Sequence, residues 1–150
     1  MDETIRKTLA NILSMTDTDS LPESFYIGVL ERLNSFGYTL KDSDTFALCF
    51  AIKKVENHFN NSCNTSSIPE GLLCNAIDVV CGEFLLDKQK TGQLELNHLD
   101  LSGAIASISL GDASVSFDGD STDEDKFNEL LNHLLNKGEG DLICYRKMRW

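Results

Sequence analysis

His58, His98 and His133 stand far apart along the chain, and none lies at a spacing that would join a cysteine or two carboxylates as metal ligands. Five cysteines (Cys49, Cys63, Cys74, Cys81 and Cys144) form no CxxC pair and are odd in number, which argues against a disulfide scaffold and against a ribbon-type zinc site. They read as reduced and mostly buried. Cys74 and Cys81 are seven apart, hence on one helix face, a spacing typical of a core. A Cys-His nucleophile could be assembled only in three dimensions. Asp118, Asp120 and Glu129 have the spacing of the first, third and last ligands of a calcium loop, but Asp123 stands where the sharp-turn glycine belongs. A capping box, Ser121 with Glu124, explains the acidic run better and starts a helix there. With no Gly-rich phosphate loop and no G-x-S-x-G, no catalytic residue, metal or cofactor is expected.

Charge carries more information than any of these. Residues 1–140 hold 10 Lys and Arg against 23 Asp and Glu, or −13, whereas residues 141–150 (DLICYRKMRW) hold three bases against one acid, or +2, within a total of −11. An acidic body cannot neutralise phosphates, so sequence-reading nucleic-acid binding is not expected. Solubility alone would also account for the acidity. In the tail, Arg146, Lys147 and Arg149 alternate with Tyr145, Met148 and Trp150, the residue types that dominate interfaces. Two readings stay open: the tail docks on a partner, with Trp150 as its anchor, or it folds back on its own acidic surface.

The elements that position these groups are mostly helices. At 150 residues and 41% hydrophobic content the chain has the length of one domain. It has no apolar run long enough to span a bilayer and no signal-peptide block at its start, so a cytosolic protein with no membrane contact is expected. Residues 2–15 place Ile5, Leu9, Ile12 and Leu13 on one face. A second helix starts near Pro22, carries Phe25, Val29, Leu30, Leu33 and Phe36, and stops at Gly37. A third begins near Ser43 with Phe46, Ala47, Phe50, Ile52, Val55 and Phe59 along a broad apolar face. The fourth follows Pro69, with Ser67 as its expected cap, and its inward residues (Leu73, Ile77, Val80, Cys81, Phe84, Leu85) suit a central helix. The last, from about Thr122 to Asn136, turns Phe127, Leu130, Leu131, Leu134 and Leu135 inward.

One segment departs from this pattern. SISLGDASVSF, residues 107–117, alternates polar and apolar residues about Gly111 and Asp112, which predicts a β-hairpin over 104–118 with a primed turn. Ile108 would face Val115, Leu110 would face Ala113 and Ala106 would face Phe117 on an apolar face, with serines paired on the other. That face must lie on this chain's own helices or on a second subunit. The expected fold is therefore mostly α, a small helical bundle with one β-hairpin and an extended basic-aromatic tail over 141–150.

The fragments FGYTL, VENHFNNSCN, IPEGL, VCGEFL, ASISLGDASVSF and YRKMRW, in this order and spacing, resemble the head-tail connector (adaptor) proteins of tailed bacteriophages and prophages of Gram-positive hosts. The likeness spans residues 30–150, leaves the first thirty uncovered, and is interrupted by the acidic insert 118–125. It implies a non-enzymatic virion subunit, made in the host cytoplasm, that assembles as a homo-oligomeric ring, dodecameric in that family. Its partners would be the portal protein above, a stopper or tail-completion protein below, and packaged DNA passing through without specific binding. Residues 145–150 would then meet the portal or an adjacent subunit. Residues Ile108, Leu110, Gly111, Asp112, Val115 and Phe117 would join subunits. An acidic lumen repels phosphate, which suits a DNA conduit. Two other readings remain: a small acidic DNA-mimic inhibitor, with carboxylates clustered on one exposed face, and a cysteine-dependent hydrolase, with an activated thiol beside a histidine.

Overall fold

A computed structural model describes residues 2–16, 20–109, 122–136 and 139–148. The helices are α1 (Glu3–Met15), α2 (Glu23–Ser35), α3 (Asp44–Cys63), α4 (Leu73–Lys90), α5 (Leu101–Ser109), α6 (Asp123–Leu135) and a single turn, α7 (Leu142–Tyr145). Short 3-10 turns, Glu70–Leu72 and Leu96–His98, precede α4 and α5.

Local chemistry explains most boundaries. Asp2 opens α1 by accepting from the Thr4 amide at 3.2 Å, and Glu3 sits at the positive end of the helix dipole. Gly37, at φ +86°, turns the chain out of α2 in a conformation that disfavours side chains. Pro69 begins the 3-10 turn that leads into α4, and no Ser67 side-chain cap is made. The capping box of α6 lies one residue beyond the expected pair: Thr122 accepts from the Asp125 amide at 3.1 Å, and Asp125 accepts from the Thr122 amide at 3.3 Å.

Around α4, which packs against α2, α3 and α6, the apolar faces close into one core. Phe25, Val29, Leu30 and Leu33 from α2, with Phe36 just beyond it, pack on one side of α4 and Phe127, Leu130, Leu131 and Leu134 from α6 on another, in one cluster with Val80, Cys81, Phe84 and Leu85 of α4. Tyr38 stands edge-on to Phe84, with ring centroids 5.2 Å apart.

Two expectations are corrected. The hairpin is not seen, and among the described residues there is no strand. Its first arm, through Ile108, belongs to α5. The Asp100 carboxylate accepts from the Gly103 amide at 3.0 Å and the Asp100 carbonyl from the Ala104 amide at 2.9 Å, so a helix starts here. Leu101, Ala104 and Ile105 are buried at helical spacing. A run of small residues satisfies both periods, and the Asp100 cap decides between them. The expected turn, Gly111 and Asp112, together with Leu110, Val115 and Phe117, lies outside the described residues. The second correction concerns α3, whose Phe46 and Phe50 were expected inward. They are 69% and 59% exposed.

Candidate partner-binding site

The basic tail begins as α7. Leu142 is buried, and its carbonyl lies 3.8 Å from the Cys63 thiol at the end of α3. Beyond Tyr145 the chain extends along that end. The Lys147 amide donates to the Cys63 carbonyl at 2.7 Å, and Asn64 Nδ2 donates to the Lys147 carbonyl at 2.9 Å. Asn64 itself is left-handed (φ 54°, ψ 45°), a conformation that asparagine tolerates better than most residues and that ends α3 with its side chain toward the tail. The Tyr145 ring lies against Gly71, where a β-carbon would collide with its hydroxyl.

Apart from the buried Leu142 and the Tyr145 ring on Gly71, the anchors are main-chain groups of the tail, and its other described side chains stay outside. Ile143 is 77% and Met148 73% exposed, and Arg146 and Lys147 are exposed. Among the described residues, neither base pairs with a carboxylate. Through Met148 the tail's main chain is tied to the end of α3, while the Arg146 and Lys147 charges are not paired with the subunit's own carboxylates among the described residues. Arg149 and Trp150 lie outside the described residues.

The second feature is a cleft of about 250 Å³ between the end of α1 and the flank of α3, lined by Met15, Tyr26, Cys49, Ile52, Lys53 and Glu56. Glu56 is buried at its wall. Its carboxylate takes the Ser20 hydroxyl at 2.9 Å on one oxygen and Lys53 Nζ at 3.2 Å on the other. Phe46 and Phe50 stand one turn apart on the solvent side of α3, outside the residues that line this cleft. Met15 is exposed beside it. Covering one exposed phenylalanine is worth roughly 1.5–3 kcal/mol, so the pair represents several kcal/mol available to a partner.

A third cluster has a buried centre, Asp44, Lys88 and Tyr38. Asp44 binds Lys88 Nζ at 2.6 Å, the Tyr38 hydroxyl at 2.8 Å and the Lys41 amide at 2.9 Å, and Lys88 also donates to Gln93 Oε1 at 2.9 Å. Burial, then the hydrogen bond to Asp44, then the Asp44 charge push the Tyr38 phenol well above the usual tyrosine range. Every member has a partner inside the fold, so this network reads as a structural lock joining the loop before α3 to the end of α4.

Two of the three histidines pair with carboxylates and not with a described cysteine. His58 lies 3.3 Å from Glu139 and His98 3.1 Å from Glu95, both pairs exposed. Burial pushes the Cys49, Cys63 and Cys81 thiols up, the reverse of what an attacking thiolate needs. Cys74, expected in the core with Cys81, is exposed at the first turn of α4. Among the described residues no cluster of three metal-binding side chains occurs, and no helix is long and apolar enough to cross a membrane. Of the calcium-spaced acids, Glu129 lies on α6, while Asp118 and Asp120 are outside the described residues.

No family model, curated protein or solved structure matches this chain. The Phe46–Phe50 pair was legible in principle: on a helical wheel it falls opposite Leu48, Val55 and Phe59, which are buried. Lys53, three residues before Glu56, was a legible partner, but the Ser20 contact of Glu56, the Lys147 contact of Asn64 and the Asp44 contact of Lys88 are distant in sequence.

Proposed function

We propose that the chain is a non-catalytic structural adaptor of a tailed phage, a subunit of the ring that extends the portal channel and offers the tail its attachment surface. The observation that carries this reading is the tail: its main chain is tied to Cys63 and Asn64, while Arg146, Lys147 and Met148 project outward unpaired among the described residues. A basic segment pre-ordered in this way avoids much of the ordering cost of binding and presents its charges to an acidic or apolar partner. The rest of the chain, at −13, repels a passing duplex rather than gripping it. The order of the fragments FGYTL to YRKMRW supports the same reading.

Native mass measurement of the chain, alone and mixed with a portal ring, tests it. A ring-sized complex is expected, together with no measurable duplex binding near physiological salt. Replacing Arg146 and Lys147 by glutamine is expected to remove portal or neighbour binding without lowering the melting temperature. A chain that stays monomeric under both conditions overturns the adaptor reading. A stable complex with a DNA-binding protein in place of a portal would support the DNA-mimic alternative instead.

A further inference from the structure

Two thiols of this chain are fully covered, and their covers differ. Cys63 and Cys81 are both 0% exposed, and each sulfur stands by a main-chain carbonyl, Leu142 at 3.8 Å for Cys63 and Val29 at 3.7 Å for Cys81. The cover of Cys81 is α2 packed on α4, with Val29, Leu30 and Leu33 all buried. Uncovering it separates two core helices, which amounts to unfolding the whole domain. The cover of Cys63 includes the single turn of α7, at the start of the tail.

That second cover is lightly fastened. Among the described side chains of residues 139–148 only Leu142 is buried. The other ties are the Tyr145 ring on Gly71, the two hydrogen bonds of the Lys147 main chain to Cys63 and Asn64, and the exposed His58–Glu139 pair, which water screens. At the head of the segment a β-carbon on Gly140 would meet nothing within 4 Å, so the chain there is open where a side chain would stand. By contrast α6, the helix before it, buries Phe127, Leu130, Leu131 and Leu134. Few buried apolar contacts and solvent-facing hydrogen bonds mark a part that opens locally, below the cost of global unfolding.

We propose that residues 139–148 form a strap that leaves its seat as a unit about Gly140 while α1 to α6 stay folded, uncovering Cys63 and the end of α3. Seated, the strap presents Arg146, Lys147 and Met148 to a partner; released, it adds Leu142 and the main chain of Lys147. The strap is independent of the adaptor reading, which concerns what the tail binds.

Thiol labelling of the full-length chain tests it. N-ethylmaleimide is applied under native conditions, slowly enough that its rate follows the open population, and the modified cysteines are read by peptide mass mapping. The exposed Cys74 supplies the rate of an open thiol. Cys63 is expected to react at least tenfold faster than Cys81 in spite of equal burial. Asn64→Ala, which removes one tie, should speed Cys63 several-fold and leave Cys81 unchanged. Gly140→Ala should act the other way and slow Cys63 about two- to fivefold, because Gly140 is not at positive φ, the added β-carbon has room in the seated strap, and it restricts the released one. Hydrogen exchange at the Lys147 amide should follow the Cys63 rate in both variants.

Equal rates at Cys63 and Cys81 overturn the strap, since both thiols would then wait for the same global unfolding; the adaptor reading would stand. Fast labelling of Cys63 beside a Lys147 amide that stays protected also overturns it, because the opening would then lie in α3. A Gly140→Ala rate equal to or above wild type removes the hinge and the strap with it.

Discussion

At its amino end α3 is held through side chains: Asp44, sealed from solvent, joins Lys88 and Tyr38. At its carboxyl end the same helix holds main-chain groups of the tail: the Cys63 carbonyl accepts from the Lys147 amide, and the side-chain amide of the left-handed Asn64 donates to the Lys147 carbonyl. The difference has a functional meaning. A buried ion pair fixes the loop before α3 against α4 and offers nothing outward, whereas a backbone anchor positions a segment and leaves its side chains for a partner. A buried lock stands at one end of the helix, and the segment proposed for recognition is held at the other.

The largest effect should come from breaking the buried end. Lys88→Met leaves Asp44 buried without its cation, and a loss of about 3–5 kcal/mol in chemical denaturation is expected. A loss below about 1 kcal/mol would show that Asp44 finds water or another partner and that the lock is dispensable.

Tyr38→Phe should be milder, about 1.5–3 kcal/mol, the usual worth of a hydrogen bond to a charged group. It also has a pH signature. Because the folded-state phenol titrates above its unfolded value, its contribution is fully present below about pH 10 and fades as pH rises beyond that. Wild type should therefore lose its advantage over Tyr38→Phe in alkaline solution. A constant difference from pH 8 to pH 11 would remove the phenol from the lock.

At the other end, Asn64→Ala puts a β-carbon residue without a capping amide into the left-handed region, and about 1 kcal/mol is expected. The sharper readout is local: hydrogen exchange at the Lys147 amide should accelerate while the core amides change little. Unchanged exchange there would mean that Asn64 does not hold the tail.

The smallest effect on stability belongs to Arg146→Gln with Lys147→Gln, within about 0.5 kcal/mol, since neither side chain is paired among the described residues. The same double variant should lose partner binding. If instead it lowers stability by more than about 1 kcal/mol, the charges are satisfied within the subunit and the contrast between the two ends disappears.

Where periodicity was long and sustained, the sequence and the structure agree. Ile5, Leu9 and Ile12, the Phe25–Leu33 face, and Phe127, Leu130, Leu131 and Leu134 were all readable as buried helix faces, because 3.6-residue spacing repeats over three or more turns. Gly37 and the acidic start of α6 were readable as punctuation for equally local reasons. The 104–109 segment was not, since its alanines, serines and isoleucines fit either period over so short a run. Its helix follows from Asp100, a cap that lies outside the alternating stretch.

By itself, then, the sequence determined the helical faces, the charge divided between body and tail, and the presence of an interface-type ending. Those properties depend on neighbours within a turn or two, or on composition alone. Only the tertiary structure decided that Phe46 and Phe50 stay in solvent, that Lys88 finds Asp44 forty-four residues earlier, and that Lys147 is tied to Cys63. Each of these depends on which helix packs over which, and a side chain's own spacing carries no record of the surface that will cover it.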